Sequence, residues 1–329
     1  MPRPSPGKRF APKMTMMIAR MINSSGSPMR PMVKLPSPEI VPSCARLFLS
    51  FFLIFLAISA IAVRSAAQFV SGVNLVEVYA TVSDARGEPV TGLAEGDFIV
   101  DEDGVRQEIR TFARGRLPLS IAIGIDRSFS VPRDTLTAAT RAVSGLLGEL
   151  APADQSMVLA IGAESEVLAP LSTDRQPAQD ALRALTTWGT TPLYDATARA
   201  VDAIQHASGR RALVLISDGT DRYSAMSASE VIAHVRRRDV LVYTVAVGRT
   251  QPPVFAELAA VTGGRSAHVT SLSRLPATLD GIARELRSQY LLGYVPANPD
   301  AERGRWRSIH VSVARPGVRV RARDGYVVP

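Results

Sequence analysis

Cysteine is almost absent from this 329-residue chain: the only one, Cys44, lies just upstream of a long apolar run. Everything downstream of that run therefore has neither a disulfide nor a thiolate metal site, and its stability must come from an ordinary core. With 46% apolar residues such a core is available. Charge of one sign is also lacking after residue 67. The net charge is +8, but residues 1–67 hold nine Lys or Arg and a single acid, Glu39, which accounts for the whole excess. The remainder is neutral. A nucleic-acid groove needs clustered positive charge on the folded part, so no nucleic-acid partner is expected. Catalytic signatures are missing too. There is no Gly-x-Ser-x-Gly elbow, no His-Glu-x-x-His and no phosphate loop. The four histidines, His206, His234, His268 and His310, are scattered, and none falls at the end of a predicted strand. Without a recognisable nucleophile or base, the expectation is a binding protein and not an enzyme. No internal repeat of fixed period is present.

What is there begins with a leader. Leu47 to Val63 is seventeen residues without a charge, flanked by Arg46 and followed by Arg64-Ser65-Ala66-Ala67. A basic flank, an apolar run and small residues describe an export signal, with cleavage after Ala67 and a mature protein beginning near Gln68. The run falls between a signal core and a spanning helix of about 20 residues, so a retained membrane anchor stays open as the alternative. Membrane contact is expected only through this segment. Residues 1–45 are rich in Pro, Ser, Met and basic residues, without a period. Disorder is expected there, and a true start at Met29 or Met32 would leave a leader of ordinary length.

Downstream, the chain divides by pattern. Residues 68–116 read as short strands with Gly-containing turns. Val76, Val78, Ala80 and Val82 alternate with Glu77, Tyr79 and Thr81; Asp97 to Val100 and Gln107 to Phe112 follow. The acidic triplet Asp101, Glu102 and Asp103 has neither the spaced ligands nor the distal Glu of a calcium loop, and is read as a solvated turn. From 117 to 287, apolar strands (118–125, 157–161, 212–216, 240–247) alternate with helices (141–150, 178–185, 196–204, 229–237, 255–261, 275–286). Buried strands alternating with helices predict an α/β fold: a doubly wound, mostly parallel sheet with helices on both faces. Residues 288–329 return to strands, at Tyr290 to Tyr294, Ser308 to Ala314 and Val318 to Arg321. They are expected to join the N-terminal strands in a small accessory β module.

In such a sheet, ligands bind beyond the carboxyl ends of the strands. Asp126, Ser128 and Ser130 follow the first strand of the α/β unit, Asp218 follows Ala212 to Ser217, and Thr191 opens a helix in Gly189-Thr190-Thr191-Pro192. Two carboxylates and three hydroxyls form an all-oxygen set suited to a hard cation such as Mg²⁺, with Mn²⁺ or Ca²⁺ as substitutes. The plainer reading stays beside it: Asp126 and Ser128 could cap the next helix, and Asp218-Gly219 could be a turn. Asp195 and Asp221 lie near the predicted site as a helix-surface or supporting residue and a loop residue.

Asp126-x-Ser128-x-Ser130, then Thr191, then Asp218 resembles the metal-ion-dependent adhesion site (MIDAS) of von Willebrand factor type A (VWFA) domains. The flanks resemble a bacterial subgroup of exported members: Glu95-Gly96-Asp97-Phe98 with Glu102-Asp103-Gly104, Gly189 to Ala196, Ile216-Ser217-Asp218-Gly219, Tyr290 to Tyr294, and Arg323-Asp324-Gly325-Tyr326. The resemblance covers residues 70 to 329. It implies a VWA/Rossmann-like sheet and one divalent ion held by Ser128, Ser130 and Thr191, with Asp126 and Asp218 direct or through water. It also implies an open coordination position for a carboxylate presented by a protein partner. Arg127 and Phe129 stand where that family more often has small residues, with Gly common at the second, and Val131 replaces the usual Met. The resulting expectation is an exported, extracytoplasmic adhesion-type module of the cell envelope. A metal-assisted hydrolase and a metal-independent structural envelope protein remain the competing classes.

Overall fold

The computed structural model describes residues 75–115, 117–298 and 302–329. The leader, the apolar run, Cys44 and the candidate start and cleavage positions lie outside the described residues. Among the described residues, no helix is long and apolar enough to cross a membrane.

Four short strands come first: β1 (Val76–Ser83), β2 (Phe98–Glu102), β3 (Val105–Gln107) and β4 (Ile109–Arg114). The α/β unit then runs β5 (Leu119–Asp126), α1 (Arg133–Glu149), β6 (Gln155–Ile161), β7 (Ser165–Ser172), α2 (Gln176–Ala184), α3 (Leu193–Ile204), β8 (Arg210–Ser217), α4 (Ala228–Arg236), β9 (Leu241–Val247), α5 (Pro253–Thr262), β10 (Ser266–Val269) and α6 (Leu275–Arg287). The chain closes with β11 (Tyr290–Tyr294), β12 (Trp306–Val313), β13 (Arg319–Arg321) and β14 (Gly325–Val327).

The α/β unit is built on a six-stranded sheet of order β10-β9-β8-β5-β6-β7, parallel except for β7, which runs antiparallel to β6. Every residue of β5 (LSIAIGID) and of β9 (LVYTVAV) is buried, as strands covered on both faces must be. Ile121, Ile123, Ile125, Val214 and Val245 meet α1, α2 and α6 on one face, while Ala122, Leu213, Leu215 and Val242 meet α3, α4 and α5 on the other. Fully buried Leu146 and Leu147 of α1 belong to the first layer, and truncating such a side chain to Ala costs about 2–5 kcal/mol.

Outside the α/β unit, the single strand expected from Gln107 to Phe112 is two, β3 and β4, in different sheets, and β14 was not anticipated. Inside it, two strands and one helix start depart from the sequence reading. Helix α1 begins at Arg133, eight residues before the expected 141, because its first two turns bury only Leu136 and Ala139 and so give a weak apolar period. Strands β7 and β10, which were not anticipated, are the two edges of the sheet. β7 is half exposed and contains Pro170, and β10 has four residues. An edge strand needs no continuous apolar run, and it tolerates proline.

The flanking segments pair with each other as expected. One antiparallel sheet has the order β13-β1-β11-β4, with Val78 opposite Leu292, and another has the order β14-β12-β2-β3, with Val100 opposite Val311. Val76, Val78, Ala80, Val82, Phe98, Tyr290, Leu292 and Ile309 fill the space between them, and the rings of Phe98 and Tyr290 are 4.9 Å apart. Tyr79 and Leu291, on the opposite face of β1 and β11, pack into the α/β core, so β1 is buried on both faces and not on one. The acidic triplet is a strand end and not a turn throughout: Asp101 and Glu102 close β2 and only Asp103 enters the turn, where it sits at φ 49° and its carboxylate accepts from the Ser308 N–H at 2.9 Å. Glu102, however, is not solvated. It is buried and paired with Arg307.

Candidate metal centre

In the order β10-β9-β8-β5-β6-β7 the direction of winding reverses between β5 and β8. Helix α1 leaves β5 for one face and α4 leaves β8 for the other, which opens a crevice at the carboxyl ends of these two strands. Asp126 is the last residue of β5 and Ser217 the last of β8. The Ser217 hydroxyl donates to Asp126 Oδ2 at 2.6 Å, and the Ser128 N–H donates to Asp126 Oδ1 at 2.9 Å. The Ser128 and Ser130 hydroxyls are 3.0 Å apart. Ser128 is buried and Ser130 exposed.

Backbone hydrogen bonds tie the neighbouring loops to this one. Phe129 N–H donates to Gly189 O at 3.0 Å, Trp188 N–H to Arg127 O at 2.7 Å, and Arg222 N–H to Thr191 O at 2.7 Å. Thr191 is buried between the loop after β5 and the loop after β8. Two glycines permit the approach. Both have left-handed φ, +82° at Gly189 and +81° at Gly219, and a Cβ would fall 2.3 Å from the Ala163 nitrogen and 1.9 Å from Pro252 Cγ respectively. The loop after β8 is pinned further by Asp195, which accepts from the Ala225 and Met226 amides at 2.9 and 3.0 Å, and by Asp221, which accepts from the Ser224 hydroxyl at 2.6 Å. Asp195 is thus a supporting residue and Asp221 a loop residue.

The capping reading of Asp126 and Ser128 does not hold. The residue at the N-cap of α1 is Pro132, with no side-chain cap, and Asp126 is turned toward Ser217 and Ser128. The turn reading of Asp218-Gly219 does hold: Asp218 Oδ1 accepts from the Thr220 N–H at 2.8 Å. That bond occupies one carboxylate oxygen and leaves the other.

The donor chemistry fits a hard cation. Asp126 is 2% exposed and takes part in no ion pair among the described residues; its hydrogen-bond donors there are the Ser128 amide and the Ser217 hydroxyl, both neutral. Burial pushes its carboxyl above the ordinary value; the Ser217 and Ser128 hydrogen bonds pull the other way, and the charge of Asp218 adds to the rise. A buried carboxylate held only by neutral donors, beside a second carboxylate and next to Ser128, Ser130 and Thr191, is an acceptor-rich set to which a divalent cation would bring the missing charge. Among the described residues no three His, Cys, Asp or Glu side chains gather as a metal cluster, so any ion here would depend on the hydroxyls. The histidines are elsewhere. His234 contacts Asp202 at 3.0 Å, His268 contacts the Gly248 carbonyl at 3.0 Å on the edge strand, and His206 and His310 are exposed. Ser217 was not singled out in the sequence, although a hydroxyl ending an apolar strand beside Asp218 was the available signal.

Residues 121–220 match the family described as von Willebrand factor type A domain. The chain carries a VWFA domain. Among solved structures, an aerotolerance-related membrane protein from Bacteroides fragilis is similar at 17% identity, over 51% of this chain and 98% of that one, with a TM-score of 0.43. The protein BatB from Bacteroides thetaiotaomicron is similar at 19% identity, over 52% and 100%, with a TM-score of 0.41. A von Willebrand factor type A protein from Catenulispora acidiphila is similar at 12% identity, over 77% and 74%, with a TM-score of 0.46. No curated protein matches the chain. The two residues that depart from the usual VWFA pattern point away from the donors. Arg127 reaches Glu166 at 3.1 Å and lies 5.2 Å from the Trp188 ring, and Phe129 stands in solvent. Val131 is buried in the core of the VWFA domain.

Proposed function

We propose that the protein is an exported, non-enzymatic binding module whose VWFA domain holds one divalent cation and through it engages an acidic side chain of a protein partner. The observation that carries this reading is Asp126: a buried carboxylate at the point where the winding of the sheet reverses, with neutral donors only and with Ser128, Ser130, Thr191 and Asp218 on the loops around it. Mg²⁺ suits the all-oxygen set, with Mn²⁺ or Ca²⁺ as alternatives. When bound, such an ion supplies a positive charge that the two carboxylates offset, leaving a position where a partner carboxylate replaces water. The chain's own residues do the rest. Ser217 and the Ser128 amide orient Asp126, the hydroxyls of Ser128, Ser130 and Thr191 offer neutral ligands, and the Asp195–Met226 contacts hold the loop that carries Asp218. VWFA domains are in general interaction modules, and the segment 46–67 supports export. The test is partner capture from envelope extract by the full chain, with Mg²⁺ and with a chelator. A partner retained in Mg²⁺, released by the chelator and lost in Asp126→Ala supports the reading. Capture indifferent to both overturns it.

A further inference from the structure

Exposed large apolar side chains are few among the described residues, and three of them sit on the three loops that carry the candidate metal ligands. Phe129, 73% exposed, lies between Ser128 and Ser130; Trp188, 48% exposed, precedes Gly189; and Tyr223, 80% exposed, follows Arg222, whose amide is bonded to the Thr191 carbonyl. None of the three rings helps the core. Tyr223 is in addition held at φ +71°, a backbone conformation that bulky residues rarely adopt. Trp188 forms the wall of an open depression of about 560 Å³ with Arg127, Glu164 and Glu166, immediately beside the Asp126 loop. On the other side of the crevice, Arg222 after β8 and Arg249 after β9 are exposed and in no ion pair among the described residues, whereas Asp195 and Asp221 are bonded within the protein. The rim thus combines exposed aromatic rings with unpaired arginines on the Tyr223 side, the residue types in which binding hot spots are enriched, while the exposed Glu164 and Glu166 line the Trp188 side.

We propose that this rim selects a protein segment in which an acidic side chain is flanked by large apolar residues, the acid entering the crevice and the flanks seating on Phe129, Trp188 and Tyr223. The proposal rests on the metal-centre reading for the acid and adds the rings as specificity determinants. Arg222 and Arg249 complement the charge of the segment and assist its approach. A single exposed ring needs no explanation, but here three stand on loops joined to one another by the Phe129–Gly189 and Arg222–Thr191 backbone hydrogen bonds.

Three synthetic peptides test it against the full chain, in Mg²⁺ and in chelator: one with Glu between Leu and Phe, one with Gln for that Glu, and one with Ser for both flanks. Binding is read by fluorescence polarisation, and Mg²⁺ affinity by calorimetry. The Leu-Glu-Phe peptide should bind in Mg²⁺ at least about tenfold more tightly than either of the others. The variant Phe129→Ser/Trp188→Ser/Tyr223→Ser should lose that advantage while keeping its Mg²⁺ affinity. Equal binding of the Ser-flanked peptide, an unaffected triple variant, or no binding of Leu-Glu-Phe up to millimolar concentration overturns the rim proposal and leaves the metal centre standing. Binding of Leu-Glu-Phe that survives both chelator and Asp126→Ala overturns the metal-centre reading, and with it the acid's place in this one.

Discussion

Two buried carboxylates set the β module and the VWFA domain apart. Glu102, 3% exposed, is paired with Arg307 and accepts from the Tyr294 and Tyr326 hydroxyls at 2.7 and 2.9 Å. Its charge is neutralised inside the protein. Tyr294 and Tyr326 record this: burial and then the Glu102 contact push both phenols up, Tyr326 to about 12. Asp126, 2% exposed, has the same burial and no ion-pair partner among the described residues. Burial of a charge is tolerated when a counter-charge comes with it, so the first acid is a structural fastening complete in itself, and the second is where the proposed cation would supply the counter-charge. The location agrees. Arg323 reaches Asp239 at 3.1 Å and Arg236 reaches Asp324 at 2.9 Å, ion pairs that fasten the C-terminal strands to the residues just before β9. That is the amino end of the parallel strands, opposite the crevice.

The comparison is broken most severely by removing the internal counter-charge. Arg307→Ala strands a buried Glu102 and should cost about 3–5 kcal/mol in urea denaturation, equally with and without Mg²⁺. The next largest effect belongs to the other acid and depends on the ion. Saturating Mg²⁺ at a hundredfold excess over its dissociation constant should add about 2.7 kcal/mol, a rise in Tm of roughly 5–10 °C, which Asp126→Ala abolishes. Gly219→Ala introduces a Cβ against Pro252 at a left-handed position. A loss of about 1–3 kcal/mol is expected, together with weaker Mg²⁺ binding because the loop carrying Asp218 is displaced. A smaller effect has the opposite sign to the usual carboxylate. Because the folded Asp126 carboxyl is raised above its unfolded value, its protonated form favours the fold. The metal-free protein should therefore lose stability as pH rises from the ordinary carboxylate range through the raised value. Asp126→Asn should remove that slope and be as stable as wild type or up to about 1 kcal/mol more stable in chelator. Mg²⁺ affinity should rise over the same pH window, since the ion needs the carboxylate. Smallest of all, Ser130→Ala removes an exposed neutral donor. It should weaken Mg²⁺ several-fold without changing stability in chelator.

The same contrast explains what the sequence made legible. The central strands β5, β8 and β9 are buried on both faces and read as apolar runs, so their carboxyl ends, and with them Asp126 and Asp218, could be placed from the pattern alone. The edges β7 and β10 carry no such run and were missed. That the strands at the two ends of the chain lie together followed from their being left over by the α/β unit, whereas the partners within them, β1 with β11 and β2 with β12, did not. The burial of Tyr79 on the opposite face of β1 did not either, because alternation reports one buried face and is silent about a second. Glu102 was misjudged for a similar reason: in Asp101-Glu102-Asp103 neither flanking acid is buried, and only the fold brings Arg307, 205 residues away, to the middle one. The candidate ligand residues were readable because each follows its strand or opens its helix. Ser217, Gly189 and Gly219 act through contacts with distant segments, which only the folded chain brings to them.

The central claim is that Asp126 is a carboxylate prepared for a cation. The most direct measurement is calorimetric titration of Mg²⁺, and then Mn²⁺, into the metal-free full chain, beside the same titration of Asp126→Ala. The account predicts one site per chain with a dissociation constant below millimolar for the wild type and no binding by the variant, both folded to the same extent by circular dichroism. Absence of binding below millimolar for both ions in the wild type, or equal binding by wild type and variant, would contradict it.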